Sequence, residues 1–362
     1  RDAEMPTTAM LHGLVPTAVQ PLSAIGSITG VACCPTNMYA IGEDGCLRVM
    51  PLPSARAAGN ASEPVPIRRN FRISPMPLST ISVLRTDLVV VGGHDNAVTL
   101  YTSSSGCALS RCQEHADTVT CLSISPCGST IVSGSRDQSL RTWSPVGSSL
   151  RNDLTFDDLQ QPISCCAASR DLVLAGATDG QLVAWDRRSG HQILDRELST
   201  EGVAMCALDA EAAVAAALDC SGELRIWDLR NKCESMRLSV FASNASLCKA
   251  HCFLTDFSRW ALIGGAGAGD VPAVAMWGFP EQRELRAWSL DGSGSCADGG
   301  AGARGRCTSA VQFLVRPPRQ LPVAASAQVV TSANATRRAE PPLPSAIPFL
   351  SAAANGAVHV FA

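Results

Sequence analysis

The segment Ser133-Gly-Ser-Arg-Asp-Gln-Ser-Leu-Arg-Thr-Trp143 decides the fold, because its pattern returns twice further along the chain. The equivalent segments run from Ala175 to Trp185 and from Ala217 to Trp227, so the three Trp residues are 42 positions apart. In each segment a short apolar run meets a turn of small and polar residues, and a strand with alternating apolar residues follows. A period of roughly 40–45 residues is typical of a β-propeller, in which each repeat forms one four-stranded sheet, or blade.

The same frame extends in both directions beyond these repeats. A turn residue precedes a bulky apolar residue by six positions in three further pairs: Asp44 and Met50, Asp95 and Tyr101, Asn355 and Phe361. One more unit fits between Trp227 and Asn355, with Trp277 at the end of its third strand. We therefore predict an all-β fold over residues 1–362, a single seven-bladed β-propeller.

The two ends of the chain are predicted to meet. The last repeat stops at Phe361-Ala362, at the end of a third strand, so it lacks an outer strand of its own. We expect residues 14–25 to supply that strand, which closes the ring by pairing of the N- and C-terminal strands and removes free sheet edges. Three insertions interrupt the frame, at 264–272, 291–306 and 316–344, and the last is predicted to be disordered because it is rich in Pro and Ala.

Composition excludes several classes of protein. Apolar residues make up 46% and charged residues 17%, unlike a disordered chain, and a net charge of −3 gives no generally basic face for nucleic acid. No apolar run approaches the roughly 20 residues of a membrane span. The 16 cysteines often lie in apolar strands, which favours reduced thiols of a cytoplasmic protein. Because the chain begins at Arg1, we expect a fragment of a longer parent, through which peripheral membrane association is possible.

The third repeat resembles a WD-repeat unit, and two others end in Trp-Asp pairs, at Trp185-Asp186 and Trp227-Asp228. In WD repeats a His, a Ser or Thr, a turn Asp and a Trp form a buried hydrogen-bonded set. The resemblance assigns these structural roles to His115, Ser133, Asp137 and Trp143. Repeats four and five lack the His and have Ala in place of the Ser, so we expect them to be less rigid.

A second resemblance concerns the first three repeats. The segments Ile67-Arg-Arg-Asn-Phe-Arg-Ile-Ser74, Pro77-Leu-Ser79 and Gly93-His-Asp-Asn-Ala-Val98, followed by the His115 repeat, are similar to the WD-repeat region of BEACH-domain proteins. In that family the propeller is the C-terminal domain, behind a BEACH domain. The resemblance implies an adaptor in membrane trafficking or receptor signalling.

Motifs that suggest chemistry have simpler interpretations here. The glycine run Gly264–Gly269 leads into a strand rather than the helix of a phosphate loop, so it reads as a long turn. Cys248 and Cys252 share one face of a strand while His251 points to the other, which disfavours a metal site. The doublets Cys33-Cys34 and Cys165-Cys166 fail as redox motifs, because neighbouring strand residues face opposite ways. His115, Ser133 and Asp137 mimic a catalytic triad, but the repeat explains them as structural. We expect no enzyme activity, no catalytic residue, no metal and no cofactor.

The function is predicted to lie on the face that carries the turns between the second and third strands of each blade. Beside the turn Asp or its equivalent lie Glu43, His94, Arg136, Thr178, Cys220 and Ala354, a polar and nearly neutral set. It suits a protein or peptide partner rather than nucleic acid. Two insertions crowd blades six and seven, which leaves blades one to three as the open sector. The alternative is a membrane-surface propeller that binds phosphoinositides through Arg68-Arg69.

Overall fold

The structure, a computed structural model, describes residues 16–19, 28–34, 36–51, 67–209, 213–239, 252–256, 260–266, 272–278, 283–289, 308–313, 349–353 and 358–361, with side chains between 28 and 239. These ranges contain strands and turns and no helix. None of their elements is therefore a helix long and apolar enough to cross a membrane.

The described strands form seven four-stranded antiparallel sheets, which we call blades one to seven in chain order, with strands a to d from the inside outwards. Blade one contains β2 (Ile28–Cys33), β3 (Asn37–Gly42), β4 (Cys46–Pro51) and β5 (Arg69–Arg72). Blade two contains β6 (Leu78–Arg85), β7 (Leu88–Gly93), β8 (Val98–Thr102) and β9 (Ala108–Cys112). Blade three contains β10 (Val119–Ile124), β11 (Ile131–Ser135), β12 (Leu140–Val146) and β13 (Ser149–Phe156).

Blade four contains β14 (Ile163–Ala168), β15 (Leu172–Ala177), β16 (Gln181–Asp186) and β17 (Gln192–Glu197). Blade five contains β18 (Val203–Asp209), β19 (Val214–Asp219), β20 (Glu223–Asp228) and β21 (Cys233–Ser239). Blade six contains β22 (Cys252–Asp256), β23 (Trp260–Ala266), β24 (Pro272–Gly278) and β25 (Arg283–Ser289). Blade seven contains β26 (Thr308–Phe313), β27 (Phe349–Ala353), β28 (Val358–Phe361) and β1 (Pro16–Val19).

The first strands of the blades contact one another in chain order, from β2 through β6, β10, β14, β18 and β22 to β26, and β26 contacts β2. The outer strand of blade seven is β1, which pairs antiparallel with β28 so that Pro16 lies opposite Phe361. This is the pairing on which the expected closure of the ring depends.

The apolar core lies between neighbouring blades. One cluster of buried side chains joins blades three and four, through Val132, Ile163 and Trp185, and another joins blades four and five, through Leu174, Val203 and Trp227. The three repeated Trp side chains are the largest that are fully buried. In blades three to five the spacing of the sequence repeat therefore reflects the packing of one Trp side chain per blade.

A recurrent bulge shapes the contact between the first strands, which we call the seam. The register of strands a and b shifts around the second residue of strand a in blades one to five. In four blades that residue carries a hydroxyl that donates to a carbonyl of the next blade; we call these the seam hydroxyls: Thr29 to Leu78, Ser79 to Val119, Thr120 to Ile163 and Ser164 to Val203. Blade five has Ala204 at this position, so its first strand has no such donor.

Two expectations about the insertions need revision or lie beyond the described residues. The strands of blade six extend to Ala266 and resume at Pro272, so Gly264 and Gly265 belong to β23 and not to a turn. Backbone pairing between β23 and β24 continues to Ala266 and Pro272, so the loop between these strands is shorter than predicted. The predicted insertions 291–306 and 316–344 lie outside the described residues, the second between β26 and β27.

Candidate functional site

The predicted partner-binding residues share one structural position. Glu43, His94, Arg136 and Thr178 each follow directly after strand b of their blade, at the start of the turn to strand c. All four side chains are exposed. Because strands alternate in direction, the b–c turns and the d–a loops lie on the same side of the blades, which we call the top face. The structure therefore presents the four side chains on one face.

The backbone beneath these side chains is fixed by a repeated hydrogen bond. The amides of His94, Arg136 and Thr178 donate to the carbonyl oxygens of the residues just before strand a, Pro77, Thr118 and Pro162, each at 3.0 Å. Cys220, the equivalent residue of blade five, donates to Gly202 at 2.9 Å. The Cys220 side chain is half-buried, and Ala354 lies outside the described residues. The exposed side chains thus project from a rigid base.

The turn carboxylates close the b–c turns. In each of three turns, Oδ1 of the Asp accepts a hydrogen bond from the backbone amide two residues further on. Asp44 accepts from Cys46, Asp137 from Ser139, and Asp179 from Gln181. The residue after each Asp is in the left-handed region, which glycine adopts without strain, and in blade three Gln138 adopts it with φ of 70°. The Asp carboxylate therefore helps to hold the turn in these three blades.

Blade three contains a continuous hydrogen-bonded chain beneath its turn. The Trp143 indole donates to Ser133 Oγ at 2.8 Å, and Ser133 Oγ lies 2.8 Å from His115 Nε2. His115 Nδ1 lies 2.9 Å from Asp137 Oδ2. A neutral His115 that donates from Nδ1 satisfies every member. Ser133 is fully buried, so its hydroxyl cannot meet a substrate, and the arrangement is structural although it has the composition of a triad.

The protonation states follow from the surroundings. Burial lowers the pKa of His115, and Asp137 opposes this shift only in part. Burial alone would raise the pKa of Asp137, but hydrogen bonds from Ser139 and from the Ala116 amide outweigh it and lower the pKa to about 2. At neutral pH the pair is therefore an imidazole beside a carboxylate.

In blade four, the strand-c Trp donates its indole hydrogen bond to a residue that the sequence pattern did not single out. Ala175 occupies the Ser position, and the Trp185 indole donates instead to Asp158 Oδ2 at 2.9 Å. Asp158 lies in the d–a loop, before strand a, as His115 does in blade three. The available signal was an acceptor in this loop 27 positions before the strand-c Trp, close to the 28 positions that separate His115 from Trp143.

The top face is more acidic than its b–c turns alone suggested. Within the part of the chain with described side chains, three acids of this face are paired with Arg: Asp44 with Arg48, Asp95 with Arg111, and Glu114 with Arg141. Other carboxylates of this face make no ion pair there: Glu43, Asp117, Asp157, Asp158, Asp179 and Glu201. Arg136 is the one exposed Arg that starts a b–c turn in these blades. The d–a loops therefore add acidic residues to this face that the b–c turn positions do not include.

Other candidates are reported by position. Arg68, Arg69 and Arg72 are exposed at or beside β5, the outer strand of blade one. Cys248 and His251 lie outside the described residues, and Cys252 begins β22. Among the side chains that the structure describes, no group of three or more His, Cys, Asp or Glu residues is arranged to hold a metal ion.

Comparison with known proteins gives a family match that covers most of blade three. The family described as WD domain, G-beta repeat matches residues 106–144, which run from the d strand of blade two to the Trp of blade three. Telomerase protein component 1 of Mus musculus is 35% identical over 103 residues, or 28% of this chain. The chain covers 4% of that relative's length. A WD40 repeat is therefore present within an all-β fold of repeated four-stranded sheets, while the resemblance to BEACH-domain proteins stays a prediction.

Proposed function

We propose that this chain is a non-enzymatic protein-interaction scaffold, a closed seven-bladed WD-repeat propeller that binds a protein or peptide through its top face. Glu43, His94, Arg136 and Thr178 contact the partner. The observation that carries the proposal is the repeated backbone bond that holds exposed, chemically different side chains at one height on successive blades. WD40 repeats generally mediate protein–protein interactions, and the matched repeat contains Arg136.

The charge of the face supports a polypeptide partner. Unpaired carboxylates outnumber Arg136 there, so the face repels the phosphate backbone of nucleic acid. A basic or mixed-charge peptide finds complementary groups on it, and rim charges of this kind act mainly on association rate and specificity. The sector over blades one to three contains His94 and Arg136, and we place the partner there.

The wider setting belongs to the same proposal. The residues that resemble BEACH-domain proteins support a C-terminal scaffold domain of a trafficking or signalling adaptor that works in the cytoplasm. Membrane association would then come through the parent protein. The alternative, direct binding of phosphoinositide headgroups, is supported by the exposure of Arg68 and Arg69 on the outer strand of blade one.

The test compares two charge reversals on opposite faces. The purified chain is used as bait in a cell extract, and recovered proteins are quantified for wild type, Arg136→Glu and Arg170→Glu. Arg170 is also exposed but lies in an a–b turn, on the side away from the top face. We expect Arg136→Glu, and His94→Ala more weakly, to reduce recovery of specific partners at unchanged melting temperature, while Arg170→Glu leaves recovery intact.

Two results would contradict the proposal. Loss of partners in Arg170→Glu, or on deletion of 316–344, with full retention in Arg136→Glu would assign the function to the opposite face. Flotation of the wild-type chain with phosphoinositide vesicles, lost in Arg68→Glu and Arg69→Glu, would favour the membrane alternative.

A further inference from the structure

Four cysteines lie in the first strands of three consecutive blades: Cys121 in β10, Cys165 and Cys166 in β14, and Cys206 in β18. Neighbouring residues of a strand face opposite ways, which removes Cys165-Cys166 as a disulfide pair. In the ring, however, opposite faces of β14 meet different blades. Cys166 packs with Cys121 in the cluster between blades three and four, and Cys165 shares a cluster with Cys206 of blade five. Cys165 and Cys166 therefore each have a cysteine neighbour in a different adjacent blade: Cys206 in blade five and Cys121 in blade three.

The Cys121 and Cys166 side chains pack against the same apolar cluster between blades three and four. The Cys121 thiol is near enough to raise the pKa of Cys166. Cys166 Sγ also lies 3.8 Å from the carbonyl oxygen of Val132, in the strand that pairs with β10. The Cys121 side chain lies over Gly134, and a Cβ added to that glycine would come within 2.7 Å of Cys121 Sγ. Gly134 thus leaves the space that the Cys121 sulfur and the Ile163 side chain occupy at this seam.

Two hydrogen bonds across the seam bracket this thiol pair. On one side Thr120 Oγ1 donates to the carbonyl of Ile163 at 2.6 Å, and on the other the Ala168 amide donates to Ser123 Oγ at 3.0 Å. They fix the separation of β10 and β14 both before and after the cysteines. A disulfide requires its two backbones to be close, and these two bonds hold β10 and β14 together on both sides of the cysteines without a disulfide.

The two pairs differ in access. Cys121 and Cys166 are half-buried, whereas Cys165 and Cys206 are buried. The neighbouring Cys121 thiol and burial raise the pKa of Cys166, so this thiol is a poor nucleophile toward peroxide. The first pair is less buried than the second, so a small oxidant reaches it more readily.

We propose that Cys121 and Cys166 form a reversible disulfide that joins blades three and four when the protein meets a peroxide. Hydrogen peroxide converts the Cys121 thiol into a sulfenic acid and releases water. The Cys166 sulfur attacks the sulfenic sulfur, the S–S bond forms, and hydroxide leaves with the Cys166 proton as a second water. Two thiols lose two electrons and two protons, and one peroxide becomes two waters. A dithiol reductant reverses the bond.

The test uses the complete 362-residue chain with Cys127→Ser as background. Cys127 shares a tryptic peptide with Cys121 and is exposed, and the Ser125 and Ser129 hydroxyls lower its pKa to about 7, so it would react in parallel. The reduced chain is treated with hydrogen peroxide, blocked with an alkylating reagent, digested and analysed without reduction. We expect a linked pair of peptides, residues 112–136, which also contain Cys112, with 152–170. We also expect a melting temperature higher by about 3–5 °C that dithiothreitol reverses.

Matched variants assign the bond. Cys121→Ser and Cys166→Ser should each abolish the linked peptides, while Cys165→Ser, one residue away in the same tryptic peptide, should retain them. Melting of the reduced variants reports whether each still folds, and Cys121→Ala replaces Cys121→Ser if the hydroxyl destabilises the seam. The proposal is overturned if peroxide that fully oxidises Cys127 in the wild type yields no linked peptide. It is equally overturned if the link survives Cys166→Ser and disappears in Cys165→Ser.

Discussion

Asp137→Ala tests the structural set beneath the blade-three turn. The Asp137 carboxylate accepts from His115 Nδ1 at 2.9 Å, the Ala116 amide at 2.8 Å, and the amide and hydroxyl of Ser139 at 2.9 and 2.6 Å. Its side chain is 9% exposed and that of His115 is 1% exposed. Alanine removes all four acceptor contacts without introducing a new group.

The cost is smaller than four hydrogen bonds, because some donors find other partners. The Ala116 amide reaches water, and His115 Nδ1 can donate to Ser139 Oγ, already 3.1 Å away. The Ser139 amide stays buried without an acceptor. One buried unpaired donor and a weakened turn destabilise by about 2–3 kcal/mol. For a chain of this size that corresponds to a fall in melting temperature of roughly 3–4 °C.

The pH dependence of the free energy of unfolding gives a second estimate of how much Asp137 stabilises the fold. The pKa of Asp137 falls from 3.8 to about 2 on folding, so ionised Asp137 stabilises the folded state above pH 4. That stabilisation, roughly 2 kcal/mol, is lost as the pH falls from about 4 to 2. Asp137→Ala should therefore lower the melting temperature at pH 7 and show a smaller further loss between pH 4 and 2 than the wild type.

The matched control is Asp179→Ala, at the same turn position of blade four. Asp179 accepts from the Gln181 amide at 3.1 Å and has no His partner, so we expect a loss below about 1 kcal/mol. Calorimetry of both variants and the wild type supplies the comparison. Equal melting temperatures for Asp137→Ala and wild type, or equal losses in the two variants, would refute the reasoning.

Two further substitutions probe contacts that lie between or beside blades. Thr120→Val removes the hydroxyl that donates to the carbonyl of Ile163 at 2.6 Å and keeps the shape of the side chain. We expect the free energy of unfolding, measured with denaturant, to fall by about 1–2 kcal/mol. The control Thr86→Val, at an exposed Thr, should leave it nearly unchanged. Asp158→Ala leaves the Trp185 indole without its acceptor and should cost about 1–2 kcal/mol and alter Trp fluorescence; an unchanged melting curve and spectrum would show that water replaces the carboxylate.

The sequence predicts best what repeats within a blade. Turn, strand c and Trp recur with a constant spacing, so the strands that contain Trp143, Trp185, Trp227 and Trp277 lie where expected. The four residues of the blade-three set could be named because they belong to one repeat and to one known pattern. Their hydrogen bonds follow from that pattern with the distances found here.

What depends on contacts between blades was not predicted. The Thr120 hydroxyl meets a carbonyl 43 positions away, and its reach depends on a bulge that places the second residue of strand a out of the ladder. The sequence shows the bulge only as a Ser or Thr after an apolar residue. Asp158 was missed for a similar reason, since it replaces a His in role but resembles it neither in size nor in charge.

The seam hydroxyls have a consequence for the shape of the surface that a partner would meet. Each hydroxyl bonds one particular carbonyl of the next blade, so it fixes how high that blade stands along the axis. A shift of one residue would turn the hydroxyl to the other side of its strand and break the bond. The seam bonds therefore keep blades one to five at a similar height along the axis. Glu43, His94, Arg136 and Thr178 then lie at a similar height on the top face. In blade five, Ala204 takes the place of the seam hydroxyl, so this strand makes no such side-chain bond to the next blade.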